Sequence, residues 1–194
     1  FSSPQTGLFH NEYLTTPQGL VDFSQQSLSQ AKQLVSEMLS QVNTVDGKLK
    51  FIKKLDQLSD ILCRVIDVAE FIRVVHPSVK WINAAQQTHE MMFEFMNQLN
   101  TNVELYSSLR DILNNPLITE QLTPEEIKVG EYLRQDFERS GIHMDPQTRE
   151  NFVTITQEIS LLGSQFGNQI NGLKSYWCPV TVAEWESIED PQLK

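Results

Sequence analysis

The chain is poor in the residues that usually carry chemistry. It has two cysteines among 194 residues, Cys63 and Cys178, far apart and with no Cys-x-x-Cys pair. That excludes a disulfide framework and reads as two free thiols of a reducing compartment. No apolar run approaches the roughly 18 residues of a membrane helix, so no membrane span is expected. Basic residues are outnumbered, 15 to 25, for a formal charge of −10. With no basic stripe to neutralise phosphates, nucleic acid is excluded as a partner. An acidic surface suits basic peptides, but it also suits plain solvation. The first ten residues hold no Lys or Arg, so neither a signal peptide nor a basic targeting helix is expected. The eight glycines never gather into a phosphate-binding loop, and no Gly-x-Ser-x-Gly elbow occurs.

Metal chemistry lacks its ligands. The histidines are His10, His76, His89 and His143, and no two share the i,i+4 spacing that places a ligand pair on one helix face. Thr88 to Met96 reads THEMMFEFM, which begins like the zinc-peptidase phrase HExxH. Phe93 stands where the second histidine belongs, and a phenyl ring is no ligand for zinc. The expectation is therefore no catalytic and no metal-ligating residue in this chain, with any substrate-binding residues unknown. His89 is expected on a packed helix face, and Glu90 in solvent. Cys63, between Leu62 and Val65, is expected to be a structural thiol.

What the sequence does contain is helical periodicity, and no strand pattern or internal repeat. The turn-rich arm 1–18 carries Leu8, Phe9, Tyr13 and Leu14 as anchors. Leu20, Phe23, Ala31, Leu34, Val35 and Met38 recur at helical spacing. Asp46-Gly47 is expected to be the turn before a long second helix with Phe51, Leu55, Leu58, Leu62, Val65, Ala69 and Ile72 along one side. Ile61, Ile66, Val68 and Val75 widen that stripe, so burial on more than one side is expected. His76-Pro77 ends the helix. A third helical stretch, Ser78 to Leu113, has its seam on Ile82, Ala85, His89, Met92, Met96 and Leu99. A phase change near Thr101 leaves open one bent helix or two. Thr123-Pro124-Glu125-Glu126 is a capping box with proline in the first turn, and Val129, Leu133 and Phe137 follow. Asp145-Pro146 starts another helix with Phe152, Ile155, Ile159, Leu162 and Phe166 as its core face, ending at Gly172. A second capping box is expected at Thr181 and Glu184.

The stretch Leu133 to Glu150 is dense in charge and joins two well-started helices. It reads as a structural joint. Phe137 and Ile142 pack across the turn, Gly141 relieves backbone strain, and Asp145 starts the next helix. Asp136 and Glu138 are free to pair with nearby arginines, Arg134, Arg139 or Arg149; an ordinary solvated face is the alternative. The competing reading places His143 in a substrate channel.

The phrase YLRQDFERSGIHMDPQTRENF, Tyr132 to Phe152, resembles a characteristic region of the thimet-oligopeptidase-like zinc peptidases. Three other phrases resemble the mitochondrial branch of that family: TGLFHNEYLTTPQGL from Thr6, LDQLSDILCRVIDVAEFIRVVHP from Leu55 and LNTNVELYSSLRDIL from Leu99. The resemblance runs from Gly7 to about Trp185. It implies an all-α fold: the multi-helix N-terminal lobe of a two-lobed, channel-forming metallopeptidase. The segments would be an arm (1–18), the helical lobe (19–172) and the start of the continuation (173–194).

The resemblance also implies zinc, bound by the remainder of the enzyme and not by this segment. There, two histidines and a glutamate would hold the ion while a second glutamate takes a proton from water. The implied activity is removal of an N-terminal octapeptide from imported precursors after a first processing cut, in the mitochondrial matrix. The implied partners are the C-terminal catalytic portion of the same protein and precursor peptides. This segment would shape the substrate channel and be inactive alone. The alternatives are a cytosolic or organellar oligopeptidase of the same family, or an independent helical interaction module.

Overall fold

The computed structural model describes residues 7–172 and 179–188. Among them every regular element is a helix. The chain divides into two compact units, one ending at Val153 and the other starting at Thr154.

In the first unit, a short 3-10 turn at Leu8–His10 precedes α1, Pro17–Gln41, whose first turn is capped by the Thr16 hydroxyl accepting the Gly19 N–H at 3.1 Å. The arm is anchored by Leu14, which is buried with Leu20, Ile72 and Ala85; Leu8 packs against the same group. Tyr13 stacks on Phe23 at 5.6 Å, while Phe9 stays exposed and meets Phe71 edge to face at 5.7 Å.

The long helix α2, Val45–Val75, starts before the expected turn. Thr44 is its cap and accepts the Gly47 N–H at 2.9 Å, so Asp46 and Gly47 lie in the first helical turn rather than between helices. The threonine cap overrode the glycine as a breaker, and Asp46 sits where its charge meets the positive end of the helix dipole. α2 lies against α1, α3 and α6, in keeping with its wide apolar stripe. Val75 is the exception, exposed at the last turn.

The third stretch is two helices, α3 at Val79–Asn100 and α4 at Val103–Leu113. Asn102 breaks it because its side chain accepts the Leu105 N–H at 3.0 Å, capping α4. The buried seam of α3 is Ala84, Ala85, Thr88, Met92, Phe95 and Leu99. It is rotated from the expected one: Thr88 is buried and His89 half-buried, with Ile82 and Met96 at the margin.

A single turn, α5 at Pro116–Thr119, leads to α6, Pro124–Arg139, which carries the expected capping box. The Glu126 carboxylate accepts the Thr123 N–H at 2.7 Å and pairs with Lys53 of α2 at 2.8 Å. These two contacts, the lysine first, hold its pKa down to about 2. α6 comes close to α2 at Gly130, where a Cβ would stand 2.8 Å from Ile52 Cδ1. Phe51, Ile52, Met38, Met92, Leu105 and Leu109 form the centre of the core joining these helices.

α7 runs from Pro146 to Gly172, so the border between the units falls inside it. Its apolar face differs from expectation. Phe152 is half-buried, but Ile155, Ile159, Leu162 and Phe166 are 56%, 65%, 55% and 66% exposed. Periodicity fixes which side chains share a face; it does not supply what covers them.

In the second unit, the short α8, Val182–Glu186, has the capping box expected at Thr181 and Glu184. Trp185 is 46% exposed. Tyr176, Trp177 and Cys178 lie outside the described residues. Among those described, no helix is long and apolar enough to cross a membrane.

Candidate functional site

The charged stretch after α6 folds into a turn closed by its own backbone. The Gly141 N–H donates to the Glu138 carbonyl at 3.1 Å and the Ile142 N–H to the Phe137 carbonyl at 3.3 Å. This is the pair of bonds that ends a helix through a left-handed residue, and Gly141 has φ +78°. Phe137 and Ile142 are both buried in the main core, 7% and 4% exposed. The apolar contact that accompanies such a turn is thus part of the helix packing.

Around this turn the charges are arranged in local pairs. Arg139 donates to Asp136 at 3.1 Å, with both side chains well exposed. Arg134 Nε stands 3.6 Å from Glu138, which also accepts from the Tyr106 hydroxyl at 3.3 Å. Burial, and then the Glu138 charge, push the Tyr106 pKa up. Arg149 reaches back from α7 to the Ile142 carbonyl at 3.1 Å. Asp145 accepts the Gln147 and Thr148 N–H groups, each at 3.1 Å. Its pKa is lowered, chiefly by the hydrogen bond from the Thr148 side chain. His143 is exposed at the outer edge of the loop.

A cleft of about 430 Å³ opens beside the turn, between α2, α3, α4 and α6. Asp136, Phe137, Arg139 and Ser140 form one side of it, and Leu62 and Cys63 belong to another. Three of the five residues singled out from sequence therefore share a cleft, while Gly141 and Asp145 close the loop next to it. Cys63 corrects the sequence reading, since its side chain is exposed. It follows Leu62 by one residue, a step of about 100° around the helix, so it leaves the buried stripe despite its apolar neighbours. That step was the available signal.

The incomplete zinc phrase stays incomplete in space. The Phe93 ring, at the position of the second histidine, lies nearly parallel to the His89 ring, with centroids 6.3 Å apart. His89 Nε2 faces Glu70 at 3.6 Å, and Glu90 is exposed, accepting from Gln86. His76 is committed to its own turn through an Nδ1 that accepts the Ser78 N–H at 3.1 Å. Among the described residues no group of three or more His, Cys, Asp or Glu is placed to hold a metal ion. The described residues do not fit a zinc site.

The described residues form an all-helical body with a cleft lined in part by a charge pair. The chain's relatives are peptidases by name. The chain is 67% identical over 195 residues to a mitochondrial intermediate peptidase of Debaryomyces hansenii, a match covering 100% of the chain and 25% of that protein. It is 67% identical to the same-named protein of Scheffersomyces stipitis, over 100% of the chain and 24% of the relative. In Saccharomyces cerevisiae the identity is 53% over 168 residues, 87% of the chain and 22% of the relative. The chain belongs to the mitochondrial intermediate peptidase family and corresponds to its N-terminal portion. It spans about a quarter of the length of these curated relatives. No family model matches the chain, and neither does any solved structure.

Proposed function

We propose that the chain is the non-catalytic N-terminal part of a zinc metallopeptidase of the mitochondrial matrix. The whole enzyme removes an N-terminal octapeptide from imported precursors already cut once. This segment contributes one wall of the substrate channel, and the zinc is held by the remainder of the protein. The observation that carries the reading is 67% identity across the whole of this chain to proteins named mitochondrial intermediate peptidase, over only a quarter of their length. The chain's own inventory agrees with a supporting role: a phenyl ring replaces the second histidine of the HExxH phrase, and stacks on the first.

Phe137, Gly141, Asp145, Asp136 and Arg139 act in this reading as the joint between α6 and α7, holding the wall in shape. The net charge of −10 favours basic peptides near the surface over acidic ones.

The test is a substrate series on the full-length protein. Peptides copying a once-cut precursor should lose an intact N-terminal octapeptide, and shorter peptides lacking that start should be poor substrates. Equal cleavage of unrelated short peptides at many positions would replace this reading with a general oligopeptidase of the same family.

A further inference from the structure

Exposed apolar side chains recur along the second unit's part of α7. Ile155, Ile159, Leu162, Phe166 and Ile170 follow one another at steps of four, three, four and four, and are 56%, 65%, 55%, 66% and 50% exposed. At about 100° per residue they fall within one narrow arc of the helix. A solvated helix has charged residues opposite such an arc. Here the sequence from Ser160 to Gly172, SLLGSQFGNQING, has no charged residue on any side, in a chain of net charge −10. Gly163 and Gly167 lie beside the arc, one turn apart, and a Cβ built on either would meet nothing within 4 Å. They leave the backbone bare, which lets a second helix approach closely.

We infer that this stripe of α7 is a docking face for an apolar helix supplied by the same polypeptide, from the part of the protein C-terminal to this segment. The inference rests on the reading that the chain is the N-terminal portion of a longer peptidase. The relatives place about three-quarters of their length outside the matched region. A helix from that region is tethered to α7, so it meets the stripe at a local concentration that a separate molecule does not reach. A membrane surface fits poorly, because an interfacial helix pairs its apolar stripe with Lys and Arg, and Ser160 to Gly172 has neither.

The experiment uses the full-length protein. Single cysteines are introduced as Ile159→Cys and Phe166→Cys on the stripe, and as Gln157→Cys on the opposite side. Maleimide labelling is followed by peptide-resolved mass spectrometry, so other thiols do not interfere. The stripe positions should label at least about 100-fold more slowly than position 157. That protection should persist through about a hundred-fold dilution. Equal labelling at all three positions overturns the inference. Protection lost on dilution also overturns it, and assigns the face to a second copy. Should a variant fail to fold, hydrogen exchange of Ser160–Gly172 in the unmutated protein decides: slow exchange supports docking, and exchange at the rate of a fraying helix refutes it. Peptidase activity of the same samples separates the two readings. Activity without protection defeats the docking face alone; protection without activity defeats the enzyme reading and leaves a buried helix face.

Discussion

The Ile142 N–H donates to the Phe137 carbonyl at 3.3 Å, and the two side chains on that bond are both buried in the main core. Together with the Gly141 N–H to Glu138 carbonyl bond it ends α6, with Phe137 and Ile142 packed against the helices. Replacing Phe137 with alanine should destabilise the protein by about 3–5 kcal/mol, through lost burial and the cavity left behind. Gly141→Ala should cost about 1–2 kcal/mol, since φ +78° is a left-handed position. Urea unfolding measures both. A Phe137→Ala protein with an unchanged midpoint would show that the turn contributes nothing to the core.

The exposed pair beside that turn should behave differently. Asp136→Asn and Arg139→Ala each remove a contact between well-solvated groups, and such pairs contribute less than about 1 kcal/mol. Arg149→Ala removes the donor to the Ile142 carbonyl and should cost more, about 1.5–3 kcal/mol for a charged hydrogen bond. The same unfolding series ranks them. The reverse order would mean that the charge pair, not the reach from α7, holds the loop.

Much of the local geometry of this turn is legible in the sequence because it is written in local chemistry. Capping boxes, the serine-glycine step and Asp145-Pro146 each involve residues within one turn, and Thr123, Thr181 and Gly141 are found doing what their neighbours dictate. The break at Asn102 was visible as a shift of phase. Errors arose where distant packing or a competing local signal decides. Asp46-Gly47 looked like a turn, but the Thr44 cap recruits both into α2. The α3 seam is turned by about one residue toward Thr88, because α1 and α2 choose which part of a broad apolar face they cover. The α7 periodicity marks one face, and within this chain that face is exposed, since a sequence pattern does not reveal its partner. The cleft of Leu62 and Cys63 with Asp136, Phe137 and Arg139 unites positions far apart in the chain, and no spacing rule reaches that far.

Glu126 predicts a pH dependence. Its pKa falls from the ordinary 4.5 to about 2 in the folded protein. A carboxylate with a depressed folded pKa stabilises fully above its unfolded value and loses that contribution as the pH falls through the folded one. The stability gap between the protein and its Glu126→Gln variant should therefore be widest above pH 4.5 and close as the pH drops toward 2. Thr123→Ala should cost about 1 kcal/mol by removing the cap. Thermal melts across that range check both. A gap independent of pH would mean that the Lys53 and Thr123 contacts do not favour the charged carboxylate.

His143 separates a joint from a channel site. It is exposed, and the loop's hydrogen bonds are made by its neighbours. His143→Ala in the full-length protein should leave the melting temperature in place and change kcat/KM by less than about twofold. A variant that melts normally but loses most of its turnover would move this loop into the substrate channel.

In the proposed function this chain is part of a processing peptidase whose reaction centre lies in the rest of the protein. The most direct measurement incubates a once-cut precursor peptide with the full-length protein and, separately, with the 194-residue chain, each with and without added zinc, and weighs the released fragments. The expected result is an octapeptide from the full-length protein and no cleavage by the chain alone in either condition. Zinc-dependent turnover by the pure chain, or a full-length protein that leaves the precursor intact, would contradict it.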